Sequence, residues 1–188
     1  MKKWMVLGIV LIVLVGFPGC VALATYNTLV QRQEAMHESW AQVENVLQRR
    51  YDLIPNLVNT VKGYASHERG VLEEVTRLRS QWGEAKTLDE KVGAAQQLEG
   101  ALGRLMVVVE RYPDLKANQN FLALQDELAG TENRIAVERR RYNEVVRSYN
   151  VAVRSFPANL VARLTGFHLS TAYFEAGKEA KEVPKVQF

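Results

Sequence analysis

Glu34 and His37 stand as Glu-x-x-His, the spacing with which di-iron helical bundles place a carboxylate and an imidazole on one helix face. Such a site needs the motif twice and two further glutamates from facing helices. Neither His67 nor His168 has an acid three residues before it, so half of the ligand set is missing. His67-Glu68 opens the His-Glu pattern of zinc proteases, but Val71 stands where the second histidine is required. Ser, His and Asp all occur without a Gly-x-Ser-x-Gly turn or a glycine-rich phosphate loop. Arg139-Arg140-Arg141 could meet phosphates, yet Glu132 and Glu138 lie close enough to make it a solvated, ion-paired face. Cys20 is the single cysteine, which leaves no internal disulfide and no cysteine-built metal site. These residues imply no catalytic set, cofactor or metal. The alternative, a metal-dependent or hydrolytic enzyme with its site inside a bundle, requires titratable groups that face one another at one height.

Charge and hydropathy are informative at the N-terminus. The chain has 188 residues and a net charge of +3, two units of which are Lys2 and Lys3. The remainder is nearly balanced and gives no reason to expect nucleic acid. From Trp4 to Val30 there is no charged residue. A bilayer core takes about 20 apolar residues in a helix, and residues 4–24 supply that length. Phe17-Pro18-Gly19 interrupts the run, and proline removes a helix hydrogen bond. Three readings stay open: an uncleaved, kinked signal-anchor helix; a lipoprotein signal cut before Cys20, which would carry lipid; and an ordinary cleaved signal. Each keeps the lysine pair inside and sends the domain across the membrane.

Beyond residue 25 the apolar spacing is helical throughout, and no window alternates with the period of a strand. The first helix shows Tyr26, Leu29, Met36, Trp40, Val43 and Leu47 on a coiled-coil-like seam. A turn is expected near Tyr51, with Asp52 capping a second helix and Pro55 in its first turn. Thr87-Leu88-Asp89-Glu90 reads as a capping box opening a third helix, which Pro113 ends. A fourth helix is expected from Leu115 to Phe156 after an Asp114 cap. In it Phe121, Leu128, Ile135, Tyr142, Tyr149 and Phe156 recur every seventh residue. A short helix over 158–164 can follow Pro157. The expected class is all-α: an antiparallel up-down four-helix bundle of long coiled-coil-like helices with an N-terminal transmembrane or signal-anchor helix. Its divisions are an anchor at 1–25, a bundle at 26–174 and a polar tail at 175–188.

The stretch from Arg49-Arg50-Tyr51-Asp52-Leu53-Ile54-Pro55-Asn56 to Gly63-Tyr64, with His67-Glu68 after it, resembles the signature of the LemA family. Further matching blocks are Asn120-Phe121-Leu122-Ala123-Leu124-Gln125, Thr131-Glu132-Asn133-Arg134-Ile135, Arg141-Tyr142-Asn143, Tyr149-Asn150, Ser155-Phe156-Pro157, Tyr173-Phe174 and Pro184-Lys185-Val186. The resemblance implies a four-helix, coiled-coil-like domain outside one membrane helix. It also implies a non-enzymatic scaffold or interaction module of the cell envelope. The expected partners are the membrane and an envelope protein, with homo-oligomeric packing left open.

Two sets of residues are candidates for function. Arg50-Tyr51-Asp52-Leu53 parallels Arg111-Tyr112-Pro113-Asp114-Leu115, so two similar turns are expected at the membrane-distal tip. There Arg49, Arg50, Tyr51, Arg111 and Tyr112 exceed what caps need, and Arg and Tyr are favoured in binding hot spots. Plain capping is the other account of both turns. Counting from the Tyr51 turn brings His37 and Glu68 level, and the same count from Pro113 adds Thr131, as a polar layer that could fix register. A solvated flank is the alternative there.

Overall fold

The computed structural model describes residues 2–174, with side chains at Leu14 and from residue 16 onward. Its elements are α1 (Lys2–Tyr64), α2 (Arg69–Glu84), α3 (Leu88–Val109), α4 (Pro113–Lys116), α5 (Gln119–Arg154) and α6 (Ala158–Thr165). The fold is all-helical, with no strand among the described residues. The expected polar tail at 175–188 lies outside those residues. So do most side chains of the expected anchor. Among the described residues no helix is long and apolar enough to cross a membrane.

Two compact units share the chain. The first joins Met1–Trp40 to Glu144–Ser170, and the second joins Ala41–Asn143 to Thr171–Phe188. In the first, Leu29 and Met36 of α1 are buried, as are Val146, Tyr149 and Val153 of α5 and Ala162 of α6. The non-helical stretch after α6 is tied down by α5. Tyr149 donates its hydroxyl hydrogen to the His168 carbonyl at 2.9 Å. The Asn150 amide both donates to the Ser170 carbonyl and accepts from its N–H, each at 2.9 Å.

The second unit buries Val43, Leu47, Tyr51, Ile54, Leu57 and Val61 along α1. Intervals of three and four residues keep these on one stripe. The same unit buries Val75, Leu78 and Trp82 of α2, the apolar face of α3 and the seven-residue repeat Phe121, Leu128, Ile135 and Tyr142 of α5. Helices α2 and α3 pack on each other across a short connection. The Asn143 amide repeats the Asn150 arrangement on Phe174, donating to its carbonyl at 2.8 Å and accepting from its N–H at 3.0 Å.

The capping box at α3 forms as expected: Glu90 N donates to Thr87 Oγ1 at 3.2 Å, and Thr87 N donates to Glu90 Oε2 at 3.1 Å. Backbone donors from Lys86 and Thr87 hold the Glu90 carboxyl below its ordinary range. The start of the long C-terminal helix differs from expectation. Asp114 does not open it, because Pro113–Lys116 makes a separate turn, and Asn118 Oδ1 accepts the Phe121 N–H at 3.0 Å instead. At the far end the heptad loses its last member, since α5 stops at Arg154 and Phe156 is 80% exposed.

The larger correction falls at Tyr51. No turn forms there; α1 runs through Asp52 and Pro55 to Tyr64. Asp52 is therefore no cap, and it accepts a bond from Gln48 Nε2 one turn earlier at 2.8 Å. Proline inside a helix leaves the carbonyl four residues back without its donor, which here is Tyr51. Arg79 of α2 replaces that donor, placing Nε 3.1 Å from the Tyr51 oxygen. The apolar stripe continues across Pro55 without a shift in phase, so packing on both sides favours one helix over two.

Arg79→Ala should therefore cost about 1–3 kcal/mol, the range for stranding a buried acceptor. In a Pro55→Ala background, where residue 55 regains an N–H, the same change should cost less than half as much. Chemical denaturation of the parent protein and the three variants measures the coupling. Equal costs in both backgrounds would show that Arg79 does not serve the Tyr51 carbonyl.

Candidate functional site

The residues expected at the tip fall at two places in the second unit. Arg49, Arg50 and Tyr51 lie within α1, each joined to another helix. Arg49 pairs with Glu127 of α5. Arg50, buried, reaches Glu132 of α5 at 2.6 Å. Tyr51 stacks on Trp82 of α2 with ring centroids 4.0 Å apart and planes 25° apart. Lys91 of α3 sits 5.6 Å from the Trp82 ring centre and also pairs with Glu44 of α1. Three successive α1 residues thus hold α5 and α2, and the indole they meet is covered by a cation from α3. Their expected exposure at a tip is overturned for Arg50 and Tyr51, whose side chains are inside the unit.

Arg111 and Tyr112 do occupy a connection, between α3 and α4. There Glu68 Oε1, from the α1–α2 connection, accepts Arg111 Nη2–H at 2.8 Å and the Tyr112 hydroxyl at 3.2 Å. Beside them Asn118 Nδ2 donates to the Tyr64 hydroxyl oxygen at 2.9 Å. Desolvation, then the bond and charge of Glu68, raise the Tyr112 hydroxyl above its ordinary value. The true junction of connections is thus Tyr64, Glu68, Arg111, Tyr112 and Asn118. Its likeness to the Arg50-Tyr51 segment does not reflect a second turn.

The Tyr51 turn, from which part of the expected polar layer is counted, is absent. Glu68 belongs to the junction, the buried Thr131 hydroxyl donates to the Leu128 carbonyl within α5 at 2.8 Å, and His37 is exposed on α1 in the other unit. The arginine run divides its work. Arg139 reaches Glu99 of α3 at 2.6 Å and lies 4.9 Å from the centre of the Phe174 ring, whereas Arg141 pairs with Glu138.

Arg79 was missed from sequence because nothing in α2 marks it. The available signal was across the chain, in a proline embedded in an unbroken helical stripe. A groove of about 610 Å³ between α1 and α2 is lined by Val58, Lys62, Ser66, Arg69, Leu72, Glu73, Thr76 and Arg77. Its lining holds three cations, one carboxylate and no histidine. Among the described residues no three metal-ligating side chains gather.

These features define a helical protein whose most distinctive segment is used to hold helices together. The model of the LemA family matches residues 39–188, and the chain belongs to that family. It is 30% identical to magnetosome protein MamQ 1 of Paramagnetospirillum magneticum, covering 86% of this chain and 68% of that one. It is 29% identical to magnetosome protein MamQ of Magnetospirillum gryphiswaldense over the same shares. Protein LemA of Metamycoplasma hominis is 26% identical, with 81% and 69% covered.

Burial pushes the Tyr51 hydroxyl well above the usual phenol value, against a smaller opposing pull from Arg50. Among the described residues the hydroxyl has no hydrogen-bond partner. Its folded value lies above that of the unfolded chain, near 10. The contribution to stability is then complete below about pH 10 and is lost as pH rises toward the folded value. Tyr51→Phe should leave melting at pH 7 unchanged or slightly raised and should flatten the decline above pH 10. Parallel alkaline melting curves for the two proteins would contradict the buried phenol.

Proposed function

We propose that this chain is a membrane-tethered, non-catalytic scaffold of the cell envelope. It is an antiparallel up-down four-helix bundle outside one N-terminal membrane helix and takes a protein partner at the α1–α2 and α3–α4 junction. One observation carries the tether: the uncharged run from Trp4 to Val30 belongs to the same helix that supplies Leu29 through Val61 to the packed interior. An apolar stretch of this length, preceded by Lys2-Lys3, suits a signal anchor with the domain on the extracytoplasmic side. Lipid on Cys20, which is exposed on α1, is the other tether the sequence allows. Relatives named as magnetosome proteins fit a role in a subcellular assembly better than a role in catalysis.

At the junction, Arg111 and Tyr112 keep the residue types that dominate binding hot spots. Arg111 is well exposed, and its pairing with Glu68 is of the surface kind, which contributes about 0–1 kcal/mol. It can therefore exchange Glu68 for a carboxylate on a partner at small cost.

The full chain should stay in the pellet after alkaline carbonate extraction of membranes, and a phosphatase that folds only after export should be active when fused after Phe188. Release into the supernatant, or an inactive phosphatase fusion beside an active cytoplasmic reporter at the same position, would overturn the tether and its sidedness respectively. Arg111→Ala combined with Tyr112→Ala should shift melting by no more than about 1–2 °C yet lose the crosslinked partner of the intact protein. Undiminished crosslinking would remove the junction as the binding surface.

A further inference from the structure

Helix α6 has an inward face, where Ala162 is buried, and an outward face that is apolar and uncovered. Leu160 and Leu164 are one turn apart on that face, 52% and 88% exposed, and Phe156 just before the helix is 80% exposed. Gly166 ends the helix in the left-handed region, at φ 82°, with its N–H bonded to the Ala162 carbonyl. The next residue, Phe167, then packs edge-on against Tyr26 of α1 with centroids 5.7 Å apart. Tyr26 follows directly on the expected anchor, whose described side chains Leu14, Phe17 and Leu23 are also exposed. Within the first unit, the end of α6 is thus pinned to α1 just where its uncharged run gives way to the packed domain.

Charge follows the same geography. From Val145 to Phe174 there is no acid, while Arg147, Arg154 and Arg163 are present. The chain's whole net charge of +3 falls in the first unit, and the second is balanced. A short helix with leucines outward, arginines at its flanks and no acid nearby is the pattern that settles at a bilayer interface and favours anionic lipid. We propose that α6, with Phe156, lies in the headgroup region of an anionic bilayer beside the anchor and fixes how the first unit stands on the membrane. A second copy of this chain is the other occupant for such a stripe. The acid-free stretch opposes it, because a symmetric pair would bring arginines toward arginines.

This inference rests on the tethered reading, and the two can fail separately. In a Cys20→Ser full-length background, an environment-sensitive fluorophore is placed on Leu164→Cys, on Ile9→Cys within the run, or on Val107→Cys, exposed in the second unit. Each protein is reconstituted into phosphatidylcholine vesicles with about one-third phosphatidylglycerol and exposed to nitroxide lipids with shallow or deep labels. The label at 164 should be quenched at least about twofold by the shallow nitroxide, that at 9 by the deep one, and that at 107 by neither. Arg154→Ala with Arg163→Ala should reduce quenching at 164 and leave 9 unchanged. Quenching at 9 without 164 overturns the α6 assignment and keeps the tether; quenching at 164 without 9 does the reverse. A label at 164 that is shielded from water without lipid quenching means self-association, and it also overturns the assignment.

Discussion

A single missing hydrogen governs how the second unit is built. Pro55 cannot donate to the Tyr51 carbonyl, and a buried carbonyl without a donor costs on the order of 1–3 kcal/mol. A break at Tyr51 would solve the problem by exposing the carbonyl to water. The chain instead keeps α1 intact and brings Arg79 of α2 to the oxygen. Because that donor lies in another helix, satisfying the backbone also sets the register of α2 against α1. The Tyr51–Trp82 stack then falls into place beside it, and Lys91 over the indole extends the contact to α3.

On the other side of the same turn, Arg49 and Arg50 reach Glu127 and Glu132, five residues apart on α5. The two pairs do different work. Arg49 is exposed, and its pair is of the surface class that contributes little. Arg50 is nearly buried, so its partner mostly offsets desolvation, and removal of Glu132 would leave a cation with poor access to water. The signature segment is therefore a hub joining α1 to α2 and α5, built from one backbone acceptor, one aromatic face and two guanidinium groups.

Much of the fold was legible because helical spacing records burial directly. The stripes on α3 and α5, the Thr87–Glu90 box and the short helix after Pro157 all follow from residue types at fixed intervals. The Tyr51 region was misread because Asp52 and Pro55 are the local signs of a helix start, and local signs cannot reveal a donor from twenty-odd residues away. The stripe Leu47, Tyr51, Ile54, Leu57 and Val61 crosses the proline in phase, and that continuity was the better guide. Moving the turn to Ala65–Glu68 shifted the positions counted from it, and Glu68 in that turn meets Arg111 and Tyr112. Phe156 shows the opposite limit: a seven-residue repeat predicts burial only while the helix lasts, and α5 ends two residues earlier.

The internal use of the signature constrains where specificity can reside. Arg50 and Tyr51 are occupied by Glu132 and Trp82, so a partner that needed them would have to dismantle the contacts that hold three helices together. Surfaces whose groups are lightly held offer a partner more. The junction qualifies because Arg111, exposed, can leave Glu68 at little cost, and the outer face of α6 qualifies because Leu160 and Leu164 have no cover to lose. The two surfaces differ in chemistry: one presents hydrogen-bonding groups suited to a protein, the other apolar side chains with arginines suited to lipid. In the proposed role the tasks are separate: the signature maintains the helical frame, and recognition falls to regions that can change without unfolding it.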